Sequence, residues 1–323
     1  MFIDGIFDSA FDFNEKALSV FLHQSSMPGI YRNYVNTLNV NPKNIKSIEE
    51  IPFLPISFFK THIIKDENAT TEIIFSSSGT TGNETSSHYV TDLDLYIKSF
   101  TAGFKLFYGD IKNYCFLALL PSYLKRNGSS LVFMCDHLIK QSQHPLSGFY
   151  LDQMKELQDT LKMLKQQNQP VILLGVTYAL LDLAEKFHLN FPELIIIETG
   201  GMKGRRKEMI REEVHSILKR AFSVENIHSE YGMTELLSQA WSKEDGIFKC
   251  PPWMQIFIRD VNDPFQLAVH NTTGAINIID LANIHSCSFI ATDDLGRKSN
   301  DHSFEILGRL ESSDLRGCNL LVG

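Results

Sequence analysis

The stretch Ile73-Ile74-Phe75-Ser76-Ser77-Ser78-Gly79-Thr80-Thr81-Gly82 runs from a short apolar segment of strand character into a loop of small hydroxyl residues and glycines. A loop of this kind offers backbone N–H groups and hydroxyls to an anion with no bulky side chain in the way. Ser76, Ser77, Ser78, Gly79, Thr80, Thr81 and Gly82 therefore read as a phosphate cradle. It is not of the Walker type, because no Gly-Lys-Ser/Thr follows and no lysine lies nearby. Taken alone, the stretch is equally a plain Ser/Thr/Gly loop. A working cradle would also need a base pocket, a metal carboxylate, a ribose anchor and an acceptor.

Four later stretches end apolar runs, where open α/β sheets collect ligands. Leu194-Ile195-Ile196-Ile197-Glu198-Thr199-Gly200-Gly201 is a strand entering a double glycine, which permits close backbone approach to a flat ligand or simply makes a turn. Ile227-His228-Ser229-Glu230-Tyr231-Gly232-Met233-Thr234-Glu235-Leu236 places an aromatic, a glycine, a hydroxyl and a carboxylate within five positions. They suit stacking on a purine, touching a phosphate and holding Mg²⁺, or else the capping of a helix start. Phe289-Ile290-Ala291-Thr292-Asp293-Asp294-Leu295-Gly296 ends a strand with paired carboxylates fit for ribose hydroxyls, or forms an Asp/Gly turn. Ile306-Leu307-Gly308-Arg309 sets a guanidinium just after a strand.

The elements that must position these residues follow from periodicity. Residues 1–70 read as a cap, helical over Phe13–Leu22 and extended through Ile51-Pro52-Phe53-Leu54-Pro55. Residues 71–250 read as an α/β lobe. Its apolar runs Tyr114–Leu120, Leu131–Leu138, Val171–Val176 and Leu194–Ile197 are read as strands, separated by helical patterns at Leu151–Lys165, Tyr178–Phe187 and Lys203–Phe222, with a further helix over Asp92–Phe107. This is the signature of a mainly parallel sheet covered on both faces. Residues 251–323 read as an antiparallel, barrel-like part with strands at Met254–Arg259, Phe265–Val269, Ala275–Ile279, Cys287–Ala291 and Phe304–Leu307.

The 323 residues, 43% of them hydrophobic, are enough for a substantial core. A net charge of -8 with one dense basic run, Lys203-Gly204-Arg205-Arg206-Lys207, argues against a nucleic acid as main partner. No signal-like start and no membrane-length apolar run is present, so no stable membrane association and a cytoplasmic location are expected. The five cysteines, Cys115, Cys135, Cys250, Cys287 and Cys318, are odd in number and form no CxxC pair, which fits reduced thiols. Cys135-Asp136-His137 is the nearest approach to a ligand cluster and reads instead as the end of a buried strand.

In order, the Ser/Thr/Gly loop, Gly-Gly, Tyr-Gly-Met-Thr-Glu, Thr-Asp-Asp-Leu-Gly and Leu-Gly-Arg resemble the core motifs of the adenylate-forming superfamily of acyl-CoA synthetases, adenylation domains and luciferases. The resemblance covers roughly the whole chain from the cradle on. It is closest to the bacterial luminescence-type acyl-protein synthetases, through Ile51-Pro52-Phe53-Leu54-Pro55, Tyr231-Gly232-Met233-Thr234-Glu235-Leu236 and Asp314-Leu315-Arg316-Gly317-Cys318-Asn319. The implied fold is the large N-terminal domain of those enzymes, mainly parallel sheets with helices plus a barrel-like subdomain.

The same resemblance implies that Ser76 to Gly82 hold the β- and γ-phosphates of ATP and that Gly200 and Gly201 border the adenine. It implies that Tyr231, within Tyr231-Gly232-Met233, stacks on the base, that Thr234 contacts the α-phosphate and that Glu235 binds Mg²⁺. Asp294 would take the ribose hydroxyls, with Arg309 beside it. Two departures stand out. Asn83-Glu84-Thr85 replaces the usual Pro-Lys-Gly, and only fourteen residues follow Arg309, so the mobile C-terminal domain with its adenylation lysine is expected to be absent.

The implied reaction is attack of a carboxylate, by expectation a fatty acid, on the α-phosphorus of ATP, followed by transfer of the acyl group to a thiolate. Cys318, two residues from Arg316, is the candidate thiol; a buried apolar cysteine is the equal alternative. The partners expected are the carboxylic acid and an acyl-acceptor protein, a reductase or carrier. A CoA ligase of the phenylacetate type and a non-catalytic nucleotide-binding scaffold are the competing readings.

Overall fold

The computed structural model describes residues 5–7, 10–77, 85–120, 128–150, 153–200, 209–268, 272–299 and 302–310. The N-terminal segment contains α1 (Phe13–Ser26), α2 (Ile30–Thr37), β1 (Leu54–Pro55) and the single turn α3 (Phe58–Thr61). Asp12 caps α1 by accepting the Glu15 N–H at 3.0 Å. A separate antiparallel hairpin of β2 (Ile73–Ser76) and β3 (Ser87–Val90) follows, and then α4 (Leu93–Tyr108).

Strands and helices then alternate: β4 (Cys115–Leu119), α5 (Ser130–Ser142), β5 (Gly148–Phe149), α6 (Met154–Gln166), β6 (Val171–Val176), α7 (Thr177–Lys186), β7 (Ile195–Thr199), α8 (Arg211–Phe222) and β8 (His228–Tyr231). The strands pair in parallel in the order β5-β4-β6-β7-β8. Every residue of β4 and β6 is buried, which is why both read as continuous apolar runs. Because β5 and β6 lie on opposite sides of β4, the winding direction reverses there, and the carboxyl edge beside it is where ligands collect in such sheets.

The remaining strands are β9 (Ala240–Ser242), β10 (Ile247–Lys249), β11 (Met254–Arg259), β12 (Thr273–Asp280), β13 (Phe289–Lys298) and β14 (Phe304–Arg309). They are antiparallel and extend the same twelve-stranded sheet in the order β8-β9-β10-β14-β13-β12-β11. β8 is therefore the seam, parallel to β7 and antiparallel to β9. The N-terminal segment packs on the antiparallel half. β1 pairs with Ile290 and Ala291 of β13, and Phe289 meets Phe21, Tyr31 and Phe53 ring to ring at 5.8–6.3 Å.

Four expectations are corrected. Residues 131–138 belong to helix α5, with Cys135 inside it. Ser129 caps this helix by accepting the Val132 N–H, and its buried residues Met134, Cys135, Leu138 and Ser142 recur at helical spacing. The apolar run had hidden that period. Asp136 turns outward to Lys140 and His137 packs edge-on against Phe100, so this triplet diverges around the helix.

The helix expected from Lys203 is described only from Arg211, residues 201–208 lying outside the described set. Of the strand expected over 265–269, Val269 lies outside the described residues, and among the others only Leu267 forms a bridge, to Arg259, while Phe265 is exposed. Finally, Asp293 and Asp294 do not end a strand. β13 continues to Lys298, and Asp294 lies directly across from Arg309 in β14.

Candidate active site

The two feet of the serine-rich loop are tied together. Ser77 N–H donates to the Ser86 carbonyl at 3.0 Å, and Ser86 N–H donates to Ser77 Oγ at 2.9 Å. Ser76 N–H donates to the Gly128 carbonyl at 2.7 Å. Gly128 has φ +91°, and a Cβ there would stand 3.1 Å from the Ile74 carbonyl, so only glycine brings this strand so near. The backbone donors of Ser76 and Ser77 are thus committed within the protein, and an anion would have to be met beyond them. Ser78, Gly79, Thr80, Thr81 and Gly82 lie outside the described residues, as do Gly201 and Cys318.

Beyond β8 the chain makes a tight turn in which Leu236 N–H donates to the Met233 carbonyl at 3.1 Å, leaving Thr234 and Glu235 at its corner. No helix starts here. Glu235 is buried, and burial raises its carboxyl above the ordinary value while a hydrogen bond from the Ser86 side chain opposes that rise. The Thr234 carbonyl accepts from His88 Nδ1 at 2.9 Å, and the Glu235 carbonyl accepts from Asn283 Nδ2 at 2.7 Å.

Just before this turn, Tyr231 Oη donates to Asp294 Oδ2 at 2.7 Å, and Arg309 Nε donates to Asp294 Oδ1 at 2.8 Å. Burial, then the Asp294 carboxylate, pushes the Tyr231 phenol well above its ordinary value, so the hydroxyl stays a donor. Its ring is packed edge-on against Phe248 and Phe304. Glu235 lies within electrostatic reach of both Arg309 and Asp294.

Gly200 closes the neighbouring strand β7 with φ +67°, exposed, its carbonyl accepting from Thr177 Oγ1 at 2.6 Å. Thr199 and Glu230, the residues just before Gly200 and Tyr231, are register partners, so the glycine and the tyrosine leave the sheet side by side. The loop feet, Gly200, the Tyr231–Glu235 turn, Asp294 and Arg309 therefore converge on one edge of the molecule.

Sequence reasoning passed over Ser86, His88, Asn283, Thr199 and Glu230. Glu230 accepts the Thr199 hydroxyl and faces α4 and α5, while Glu198 on the other face accepts from Thr177 at 2.7 Å and Ser229 at 2.9 Å. Gly232 makes room for Glu230, since a Cβ on it would stand 2.4 Å from Glu230 Oε1. Burial lifts the Glu230 carboxyl from 4.5 to about 7, against the pull of the Thr199 hydrogen bond, and the Glu198 charge adds to the rise. A raised carboxyl contributes stability that is complete below the unfolded value and lost as pH rises through the folded one. Wild type should therefore lose about 2 kcal/mol relative to Glu230→Gln between pH 5 and pH 8, read by chemical denaturation at both. An unchanged difference would place the titration elsewhere.

His228 is a packing residue. Its ring stacks on Tyr108, with Nδ1 3.2 Å from the phenol oxygen, and burial followed by the Lys243 charge takes its pKa down to about 4. Cys115, Cys135 and Cys287 are buried; burial raises Cys115 to about 11 and Cys287 to about 12, which suits inert thiols. No helix among the described residues is long and apolar enough to cross a membrane.

The donor chemistry fits a hard cation beside a nucleotide. Glu235 is a single carboxylate whose burial is unfavourable until a positive charge joins it. That is the pattern of Mg²⁺, which takes one or two carboxylates and completes its shell with phosphate oxygens and water. When bound there it would neutralise phosphate charge.

No family model matches the sequence, and no curated protein matches it. The fold is nevertheless shared with solved structures. 2-Hydroxyisobutyryl-CoA ligase in its postadenylation state with 2-HIB-AMP matches with TM-score 0.67 at 15% identity, over 92% of this chain and 68% of that one. Its open conformation with 2-HIB-AMP and CoA matches with TM-score 0.65 at 14% identity, over 93% and 75%. ATP-bound MatB from Rhodopseudomonas palustris matches with TM-score 0.57 at 14% identity over 76% of this chain and 49% of that one, so the chain spans about half the length of MatB. At these identities the likeness speaks for the fold. It is the α/β fold of the N-terminal domain of adenylate-forming enzymes.

Proposed function

We propose that this chain activates a carboxylic acid with ATP, forming an acyl-adenylate and pyrophosphate, and passes the acyl group to a protein cysteine. What supports the first half is that segments far apart in sequence are linked by contact: Ser86 joins the loop foot Ser77 to the buried Glu235, Glu235 lies within electrostatic reach of Asp294 and Arg309, and Asp294 accepts from Tyr231 and Arg309. Ser86 is the hinge of that linkage, bonded at once to the loop and to the buried Glu235.

In this reading the loop beyond Ser77 receives the outer phosphates, Thr234 the α-phosphate, and Asp294 the ribose, while Gly200 and Tyr231 border the base. Asp294 keeps lone pairs free after its contacts with Tyr231 and Arg309, so ribose hydroxyls can still donate to it. Glu235 would hold Mg²⁺. The acid is a fatty acid and Cys318 the receiving thiol, as the motif resemblance implies. A soluble CoA ligase is the second reading, favoured by the CoA carried in the 2-hydroxyisobutyryl-CoA ligase structure.

One experiment separates these. The protein is incubated with ATP, Mg²⁺ and labelled carboxylic acids, and pyrophosphate release and protein-bound label after denaturation are followed. Release with hydroxylamine-labile label that is lost in Cys318→Ser supports transfer to the protein. Release that requires coenzyme A and leaves no label would move the assignment to the CoA ligase. ATP binding without release for any acid would overturn catalysis and leave a nucleotide-binding scaffold.

A further inference from the structure

We infer that His88 and Asn283 are positioning residues that together fix the Thr234–Glu235 turn beside Ser77 and Ser86, the feet of the serine-rich loop, an inference that rests on the adenylation reading above. His88 sits on β3, two residues after the loop foot Ser86, and is almost fully buried, as is Asn283. Its ring is held edge-on by Phe59 of α3. Nδ1 donates to the carbonyl of Thr234, and Asn283 Nδ2 donates to the carbonyl of Glu235, so successive carbonyls of the corner residues each have a dedicated donor. The Ser86 side chain, just before the same strand, holds the Glu235 carboxyl.

The cost of this arrangement is visible. With Nδ1 carrying the proton, Nε2 has only a lone pair, and the buried His88 and Asn283 side chains lie within hydrogen-bond reach of each other. Turning the Asn283 amide would let it donate to His88 Nε2, yet it would then set Oδ1 against the Glu235 carbonyl. The Asn283 amide thus keeps the orientation that holds the Glu235 carbonyl rather than the one that would serve the His88 ring, and a buried polar group is left so only where something depends on it. What depends on it is the relation between Thr234, Glu235 and the loop, because β3 leaves the loop and β8 delivers the turn from a different sheet. His88 is the bond that spans them.

A positioning role predicts a loss in turnover rather than in ATP binding, and a rescue that follows donor geometry. His88→Leu should lower acid-dependent ATP–pyrophosphate exchange about 100-fold in kcat while KM for ATP stays within about threefold. Asn places an amide N–H near the position of Nδ1 and Gln near that of Nε2. His88→Asn should therefore recover to within about tenfold of wild type while His88→Gln stays low, at matching thermal midpoints. If His88→Leu does not fold, the Asn and Gln pair decides alone. Equal activity in that pair, or losses that track the thermal midpoint, would overturn the positioning role while adenylation stands. Wild-type protein inactive with every acid would overturn the adenylation reading, and the inference with it.

Discussion

Glu235→Gln is expected to lower acid-dependent ATP–pyrophosphate exchange about 100-fold while changing ATP affinity by less than about threefold. Gln keeps the volume of the side chain and can still accept from Ser86, so what is removed is the negative charge. That charge is held in a buried setting that raises its pKa, and in the adenylation reading it would be used only when a cation and the phosphates share the site. Remote nucleotide contacts, among them Asp294 with the ribose, would preserve affinity.

The same substitution should leave stability at pH 8 equal to wild type or higher. A carboxyl raised by burial loses its stabilising contribution as pH rises, and a neutral amide does not. Isothermal titration with ATP beside exchange kinetics reads the split. Equal losses in affinity and turnover would confine Glu235 to nucleotide binding.

The sheet was largely legible in the sequence because β4, β6 and β7 are runs long enough, and apolar enough, to leave no alternative once helices separated them. The misreading of 131–138 has the opposite cause. A helix that opens with three consecutive half-buried apolar residues, Leu131, Val132 and Phe133, ahead of its buried face shows its period poorly, and its cap Ser129 was the usable signal.

The placing of Asp294 failed for a different reason. Asp-Asp-Leu-Gly is a turn by local preference, but cross-strand pairing with Arg309 keeps β13 extended through it, a tertiary override that no local window contains. Within the candidate site, the sequence singled out residues whose types suit a ligand and passed over those that hold other residues. Ser86 stands just before the short strand β3 and His88 within it, and neither differs in any local sequence feature from a surface residue. Only the fold shows that both point at the Thr234–Glu235 turn.

Asp280 is the extreme case of such a hidden support, and Asp280→Ala should cost about 5 kcal/mol, enough to deplete the folded protein at 37 °C. The carboxylate is fully buried and accepts four hydrogen bonds: from Leu237 N–H at 2.9 Å, Ser238 N–H at 3.0 Å, Ser238 Oγ at 2.6 Å and Ala282 N–H at 3.1 Å. Ser238 Oγ in turn accepts from Trp253 Nε1 at 3.1 Å and lies 3.0 Å from Ser99 Oγ of α4. Removing the carboxylate strands three backbone donors inside the core and frees the segment that follows Glu235.

Burial lifts Asp280 from 3.8 to about 6 in spite of those four donors, so its charge is carried at a loss above that pH. Its contribution is complete below the unfolded value and fades as pH rises through the folded one. Asp280→Asn retains one acceptor and sets an amide against the remaining donors. It should be less damaging than Ala, and its deficit relative to wild type should be larger at pH 5 than at pH 8 by about 1 kcal/mol. Urea denaturation of the two variants at both pH values tests this. A deficit that grows with pH would mean that Asp280 is held charged by a partner other than these four groups.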